Sequence, residues 1–376
     1  MQHDISRRNL IKGAVMAGAA AVIVRPGRAQ TPAKTVRVAA VQMHATLGEV
    51  DANLENAERW VRLALREGAR WVVLPEFFTT GIAHHPTKLL NAYRPLDGAP
   101  MQLLKRLAHE GNAYIAGSFL ARSGADVFNT FVLASPAGDV YTHDKDFPTT
   151  DIESTVYAGG EDDEFVKEVS RQATVASKQP VPSRPQNIKS AVFALPNGMN
   201  AGAALCWEQC RYRTARRLTG RVDLVLAASG WPFVSQNVSR ANQAAGRGVL
   251  DGGEAIRETP RRLARLVGAP VVHASLVGDT WNSAGSVLGG EAVLRFSGES
   301  QVADAHGRTL SRRGYAEGEG LVIAEIETGR VEPSESIPSD AFWTPEVSLP
   351  NQQVWAVSGA AGRETYLHTT RPHRNG

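Results

Sequence analysis

Short apolar runs alternate with amphipathic stretches through most of the chain, and this alternation restricts the fold more than any other feature. Val36 to Met43, Trp71 to Leu74, Ala113 to Ala121, Val222 to Ala228 and Val271 to Val277 are rich in Val, Ala, Leu and Ile. Runs of that length without a polar face read as strands buried on both sides. Helical patterns lie between them. Asp51 is placed to cap a helix running to about Glu67, with Leu54, Ala57, Val61, Ala64 and Leu65 on one face and Gly68 as its stop. Met101 to Glu110 and Gln209 to Leu218 are further helices. Pro260 to Val267 is another, with Thr259 as cap and the proline at the first helical position. Phe131 to Tyr141 reads as a hairpin turning at Pro136-Ala137-Gly138-Asp139. Ile188 to Leu195 and Gly202 to Leu205 flank the turn Pro196-Asn197-Gly198, and more hairpins are expected from Gly285 to Ile326. Strands covered by helices on this scale give an α/β layered core, and sheets packed face to face would produce the same short buried strands.

The chain has 376 residues, 43% of them hydrophobic, enough to bury a sizeable core as one large domain with insertions or as two domains. Five of the 41 basic and one of the 38 acidic residues lie in the first 29, so the remainder carries 36 against 37, a net of −1. A near-neutral body gives no electrostatic reason to expect nucleic acid as a partner. Two cysteines exclude a disulfide-rich scaffold and a four-cysteine zinc site. No apolar run approaches the roughly 20 residues of a membrane-spanning helix.

The first residues read as an address. Ser6-Arg7-Arg8-Asn9-Leu10-Ile11-Lys12 precedes the weakly apolar stretch Gly13 to Val24, and Arg25-Pro26-Gly27-Arg28-Ala29 follows. A paired arginine, a short Ala/Gly-rich segment and a small-x-Ala end form a twin-arginine export signal, cleaved near Ala29. The expected divisions are thus a signal over 1–29, a catalytic body over 30–330 and an arm or tail over 331–376. The expected location is periplasmic or secreted, with the twin-arginine translocation machinery as a transient partner. Two polar stretches, Ser170 to Asn187 and Trp231 to Gly253, look like inserted loops, the second placed at a strand end where it can wall a site. The tail should lie over the surface and fray past about Arg363.

Several chemistries lack their motifs. There is no Walker loop, no G-x-G-x-x-G after a strand, no H-E-x-x-H and no complete G-x-S-x-G, since Trp281 takes the first glycine place before Ser283 and Gly285. His84 and His85 are adjacent, which on regular structure points them apart, so they read as loop residues and no metal is expected.

What remains sits at strand ends. In Leu74-Pro75-Glu76-Phe77-Phe78 a carboxylate follows an apolar strand among aromatics, where desolvation raises its pKa toward that of a working base. In His143-Asp144-Lys145-Asp146-Phe147-Pro148 a lysine can be a fixed cation for developing negative charge, although a Lys between two Asp residues is also an ordinary surface ion cluster. In Gly202-Ala203-Ala204-Leu205-Cys206-Trp207-Glu208 small residues lead into a cysteine at a strand-to-helix turn. A helix N-terminus there would lower the thiol pKa and offer an oxyanion hole; alone, the residue is equally a small buried hydrophobe. Cys210 lies one helical turn on, too far for a bridge.

Taken together, Glu76 in a P-E-[FYL] position, Lys145 in a K-x-x-P position with Pro148, and Cys206 in an apolar-C-[YW]-[ED] position resemble the nitrilase superfamily of carbon–nitrogen hydrolases from about Val36 to about Ile326. Glu153, in Glu153-Ser154-Thr155-Val156-Tyr157-Ala158-Gly159-Gly160, resembles that family's second glutamate, and Ala40-Val41-Gln42-Met43 and Asn53 are also similar to it. The resemblance implies a four-layer αββα sandwich, paired as αββα-αββα in a dimer or larger assembly, with no metal or organic cofactor. It implies a Glu76-Lys145-Cys206 triad in which Glu76 is the base, Cys206 the nucleophile, and Lys145 with the Trp207 backbone N–H the oxyanion donors, supported by Glu153. Candidate pocket residues are Phe77, Ser229, Gly230, Trp231 and Trp281. The substrate is a small amide or nitrile, with amide or carbamoyl hydrolysis the first reading and nitrile hydrolysis the alternative.

The sequence departs from the pattern: no proline follows Cys206-Trp207-Glu208 within Gln209-Cys210-Arg211-Tyr212-Arg213, and the inserted loops, the tail and the export signal are atypical of the family. Cys-Trp-Glu resembles the true nitrilase branch, whereas the spacing from Lys145 to Glu153 resembles amidase branches. Three competing readings keep some of the same residues. They are an acyltransferase using an amine in place of water, an exported non-catalytic binding protein on the same fold, and a cysteine–histidine protease with His273 as base.

Overall fold

The computed structural model describes residues 34–160, 191–233, 252–282, 292–338 and 349–371. The expected signal over 1–29, the loop over 170–187 and most of the loop over 231–253 lie outside the described residues, as does the expected start of the later hairpins at Gly285.

The first half of the body runs β1 (Thr35–Met43), α1 (Val50–Arg66), β2 (Trp71–Val73), α2 (Pro86–Leu90), β3 (Arg94–Pro95), α3 (Ala99–Gly111), β4 (Tyr114–Ser123), β5 (Asp126–Ala134), β6 (Val140–Asp144) and α4 (Thr150–Ser154). The second half runs β7 (Val192–Ala194), β8 (Asn200–Leu205), a 3-10 turn at Cys206–Cys210, α5 (Tyr212–Leu218), β9 (Leu224–Ser229), β10 (Pro232–Phe233), α6 (Gly252–Val267) and β11 (Val271–Asn282). Then follow β12 (Ala292–Ser297), β13 (Ser300–Ala303), β14 (Thr309–Arg313), β15 (Gly320–Glu327) and the C-terminal helix α7 (Leu349–Thr365).

The strands form one hydrogen-bonded network in the order β6-β5-β4-β2-β1-β11-β9-β8-β7. Strand β1 meets β11 only at Gln42–Ser275 and Met43–Leu276, so the two halves are joined at a corner. The period-two alternation of side chains then determines the layers. Ala39, Val41, Val72 and Ile115 face Ala57, Val61, Leu104 and Leu107 of α1 and α3. Their neighbours Val38, Ala40, Val73 and Ala116 point the other way and pack with Ala203, Leu205, Leu226 and Ala274 of the second half. On the far side Val225, Ala227 and Val271 pack on Leu218, Leu263 and Leu266 of α5 and α6. The order is helix, sheet, sheet, helix: the α/β class and the four layers expected. Because Phe131 of β5 and Tyr141 of β6 pack on Phe193 of β7, at the other end of the strand order, the ends of strands from opposite halves can meet.

Four local readings are corrected. Helix α1 starts at Val50 with Glu49 at the cap position, and Asp51 sits in the first turn, where its charge suits the N-terminal dipole. Helix α6 begins at Gly252, eight residues before Pro260, which is therefore inside it; Thr259 is no cap, and its Oγ1 donates to the Ala255 carbonyl at 2.7 Å. The helix read from Gln209 is broken. Arg211 is extended (φ −100°, ψ 127°), so Cys206–Cys210 forms a separate 3-10 turn and α5 starts at Tyr212. Residues 364–371 are not frayed, because α7 passes into a π-type turn at Tyr366–Thr370 in which Tyr366 is buried.

Candidate active site

Three strand ends converge. After β2, the Leu74 N–H still bonds the Ala116 carbonyl at 2.7 Å, and the chain then breaks away at Pro75-Glu76. After β6, the Lys145 N–H bonds the Asn129 carbonyl at 2.9 Å. After β8, the chain turns sharply at Cys206. Of the five described non-glycine residues with left-handed backbone, Phe77 (φ +54°), Thr150 (φ +58°) and Cys206 (φ +46°) belong to this region. Each such residue costs on the order of 1–3 kcal/mol, held in place by the surrounding structure.

The side chains meet in the protein interior. Lys145 Nζ donates to Glu76 Oε1 at 2.9 Å and to Glu153 Oε2 at 2.7 Å, bridging the two carboxylates. Glu76 is held at both oxygens, by Asn129 Nδ2 at 2.8 Å on Oε1 and by the Gly230 N–H at 2.8 Å on Oε2. Glu153 Oε2 also accepts from the Thr149 N–H at 2.8 Å and from the Tyr157 hydroxyl. The Cys206 sulfur and a carboxylate oxygen from each of Glu76 and Glu153 all lie within 4.8 Å of one another. All four side chains are buried. These three atoms could be read as metal ligands, but Lys145 Nζ already lies between both carboxylates and supplies the positive charge there.

Burial sets the electrostatics. Loss of water pushes the Glu76 carboxyl up, Lys145 draws it down and Glu153 pushes it up again, leaving it at about 7. Burial works against the Lys145 charge, yet Glu153 and Glu76 overcome it and hold the ammonium well above the usual lysine range. The Cys206 thiol is pushed well above its ordinary value, first by burial and then by the Glu76 charge, with Lys145 opposing. This corrects the expectation of a thiol acidified by a helix terminus. Only a short 3-10 turn begins at Cys206, and desolvation beside a carboxylate outweighs it. The sulfur is therefore protonated at rest, with a Glu76 carboxylate oxygen within 4.8 Å of it.

Glu208, two residues past Cys206, ties the strand ends together. Its carboxylate accepts from the Leu205 N–H at 2.8 Å, the Asp146 N–H at 2.7 Å and His143 Nε2 at 3.0 Å. It thus fastens the residue before Cys206 to the residue after Lys145. Burial opposes its charge, but His143 and Arg217 hold the carboxyl far below the usual range. Beside it, Asp146 accepts from Arg217 Nη1 at 2.9 Å.

The candidate pocket residues divide. Gly230 contributes its N–H to Glu76. Phe77 is buried with Lys145 Nζ 5.9 Å from its ring centre. Trp207 and Trp231 pack together at 4.3 Å between ring centres, beside Cys206, Cys210 and Ile256. Ser229 Oγ lies between Gln209 Nε2 and His273 Nε2, both at 2.9 Å, and is buried. The Trp281 side chain lies outside the described residues. His273 is committed to Ser229 and pushed down to about 4 by burial, which removes it as a protease-type base. Sequence reasoning gave no role to Asn129, Tyr157, His143 or Glu208. A signal for Asn129 existed, because an amide within Val127-Phe128-Asn129-Thr130-Phe131-Val132 is a polar group in a buried strand needing a partner.

Comparisons with known proteins bear on the family and the fold. Residues 37–335 match the carbon-nitrogen hydrolase family. Nitrilase 3 of Arabidopsis thaliana is 24% identical over 323 residues, 80% of this chain and 81% of that protein. A cyanide hydratase of Stereum hirsutum is 26% identical over 150 residues, covering 37% of this chain and only 40% of its own length. A nitrilase of Pyrococcus abyssi is likewise matched over 40% of its length, at 31% identity. Among solved structures, Nit3 of Saccharomyces cerevisiae, a member of the nitrilase superfamily, superposes with a TM-score of 0.56 at 18% identity, over 79% of this chain and 93% of that one. XC1258 of Xanthomonas campestris, a CN-hydrolase superfamily protein, gives 0.54 at 19%, over 78% and 91%. An amidase of Nesterenkonia from the nitrilase superfamily gives 0.50 at 17%, over 80% and 92%. With the matched region spanning nearly the whole described body, the chain belongs to the carbon-nitrogen hydrolase family.

Proposed function

We propose that this enzyme hydrolyses a small amide through a thioester on Cys206. The observation that carries the reading is the Lys145 ammonium, hydrogen-bonded to both Glu76 and Glu153, in a buried cluster within which the Cys206 sulfur lies at most 4.8 Å from those carboxylates. Glu76 takes the thiol proton as the sulfur attacks the carbonyl carbon. The charge developing on oxygen is met by Lys145 and the Trp207 backbone N–H, each donor contributing about 3 kcal/mol. The protonated Glu76 gives its proton to the departing nitrogen, the C–N bond breaks, and ammonia leaves a thioester. Glu76 then takes a proton from water, whose oxygen attacks the thioester. The collapse returns the thiol and releases the carboxylic acid. One carboxylate moving one proton back and forth needs a basicity near neutrality, as its value of about 7 provides.

A nitrile is the second reading, favoured by the relatives named nitrilase and cyanide hydratase and by Cys206-Trp207-Glu208. Matched amide and nitrile pairs sharing one acyl group, scored for ammonia and carboxylate with wild type and Cys206→Ala, separate the two. Equal ammonia release from both proteins defeats the thiol reading; carboxylate formed without added amine excludes an acyltransferase; no turnover by wild type supports the binding-protein reading. We infer periplasmic export from Ser6-Arg7-Arg8-Asn9-Leu10-Ile11-Lys12, and a dimer or larger assembly from family likeness. Cell fractionation of wild type against Arg7→Lys/Arg8→Lys tests the first; equal periplasmic yields would refute it. Light scattering tests the second, and a monomer would refute it.

A further inference from the structure

The C-terminal helix lies outside the 37–335 region matched to the family, yet it packs on the short helix that carries Glu153. Helix α4 has five residues, and all of them, Thr150 to Ser154, are buried. Isolated helices shorter than about 12–15 residues are marginal in water, so the shape of α4 is imposed by what covers it. That cover is a ridge of residues at four-residue spacing, Ser358, Gly362, Tyr366 and Thr370, all buried. At Gly362 the approach is so close that a Cβ would stand 2.0 Å from Ser154 Oγ, 3.0 Å from Asp151 Cα and 3.2 Å from Ser154 Cβ. The Tyr366 hydroxyl accepts from the Val127 N–H at 3.1 Å and donates to Asp126 Oδ1 at 3.0 Å. Arg371 adds an ion pair to Asp126 at 3.1 Å. The Val127 carbonyl in turn accepts from the Ala158 N–H at 2.9 Å, which joins the clamp to the segment after Glu153.

We propose that the C-terminal helix is a positioning element for the reaction: by pressing α4 against the start of β5 it fixes Glu153, and through Glu153 the Lys145 ammonium, relative to Cys206. The catalytic consequence rests on the thiol-hydrolase reading; the contact itself does not. The test is Gly362→Ala in the full chain, with Gly362→Ala/Ser154→Gly as the rescue, Tyr366→Phe as a milder break and Ala361→Ser on the exposed face as control. Two readouts are taken per intact Cys206, counted by thiol titration: kcat against KM, and the rate of Cys206 alkylation by iodoacetamide. Gly362→Ala should lower kcat about tenfold with KM within about twofold, because misplacement of a charge-stabilising group costs rate before binding. Alkylation should slow by a similar factor as Lys145 withdraws from the forming thiolate. Ser154→Gly, which removes two of the three close contacts, should restore most of both. Tyr366→Phe should move both the same way by about threefold, and Ala361→Ser should change neither.

Wild-type kcat and alkylation per thiol in both Gly362→Ala and Tyr366→Phe would overturn the proposal, as would a loss seen only as fewer intact thiols. Should Gly362→Ala fail to fold, the Tyr366→Phe readouts decide alone. If wild type turns over no substrate, the hydrolase reading fails separately and alkylation still decides the positioning.

Discussion

The Glu76 environment makes a quantitative claim about pH. Burial leaves this carboxyl at about 7, and only its ionised form can take the Cys206 proton. At pH 5 a group of that strength is about 1% ionised, so kcat/KM should fall about hundredfold from its plateau with unit slope; an ordinary glutamate would retain about 80% of its base form there. Lys145, held well above the usual lysine range, should leave the profile level through pH 9. The donor from Asn129 supplies a second handle. It stabilises the ionised form at 2.8 Å, and about 1.4 kcal/mol of such a bond corresponds to one pH unit, so Asn129→Leu should move the acid limb up by as much as about one unit. The assay is initial-rate kcat/KM from pH 5 to 9, with samples returned to pH 8 to confirm that activity recovers. Acid unfolding driven by Glu76 is not a competing explanation. A carboxyl raised in the folded state binds its proton more tightly there, so its contribution favours folding below the unfolded value near 4.5 and is lost as pH rises through 7. A profile flat from pH 5 to 8, or a limb unmoved in Asn129→Leu, would refute this reasoning.

Three other perturbations give distinct outcomes. Lys145→Met removes the charge meeting the oxyanion and leaves Glu76 and Glu153 facing each other, so kcat should drop about 10²–10³-fold; a loss confined to KM would contradict that role. Glu208→Gln replaces an acceptor by an amide that must turn its NH2 toward a backbone donor, and urea melts at pH 7 should record a loss of about 1–3 kcal/mol. Because the Glu208 carboxyl is depressed in the folded state, its stabilisation is present above the unfolded value and lost as pH falls through the folded one, so the gap between wild type and Glu208→Gln should narrow in acid. A gap that widens would contradict the sign. Cys210, pushed up to about 12 by burial and beside Thr259, takes no part in the chemistry; Cys210→Ala should retain kcat within about twofold, and a larger loss would give it a role.

Much of the architecture was legible because it rests on periodicity. Val38 and Ala40 alternating with Ala39 and Val41 is a statement about two packed faces, and the structure places one face on helices and the other on the second half of the network. The strand ends carrying Glu76, Lys145 and Cys206 were legible for the same reason. What escaped was three-dimensional. The acidity of Cys206 depends on carboxylates that come from β2 and α4, residues distant in sequence, and a local helix-terminus argument gave the wrong sign. Glu208 looked like a motif letter because its donors, Leu205 and Asp146, meet only when the two halves face each other. Thr259 before Pro260 has the chemistry of a helix start, but Ala255 and Ile256 already extend the buried face upstream. The tail hid its helix because its buried ridge of Ser358, Gly362, Tyr366 and Thr370 is nearly devoid of apolar side chains; close backbone approach takes the place of hydrophobic patterning.

The central claim is that the Cys206 sulfur becomes bonded to the acyl carbon of the substrate. Acid-quenching the enzyme during turnover and measuring intact and peptide masses tests it directly. The account predicts a mass increase equal to the acyl group, mapped to the peptide containing Cys206, decaying as carboxylate appears and missing from Cys206→Ala. Ammonia released at the wild-type rate by Cys206→Ala, or an adduct mapped to another residue, would contradict it.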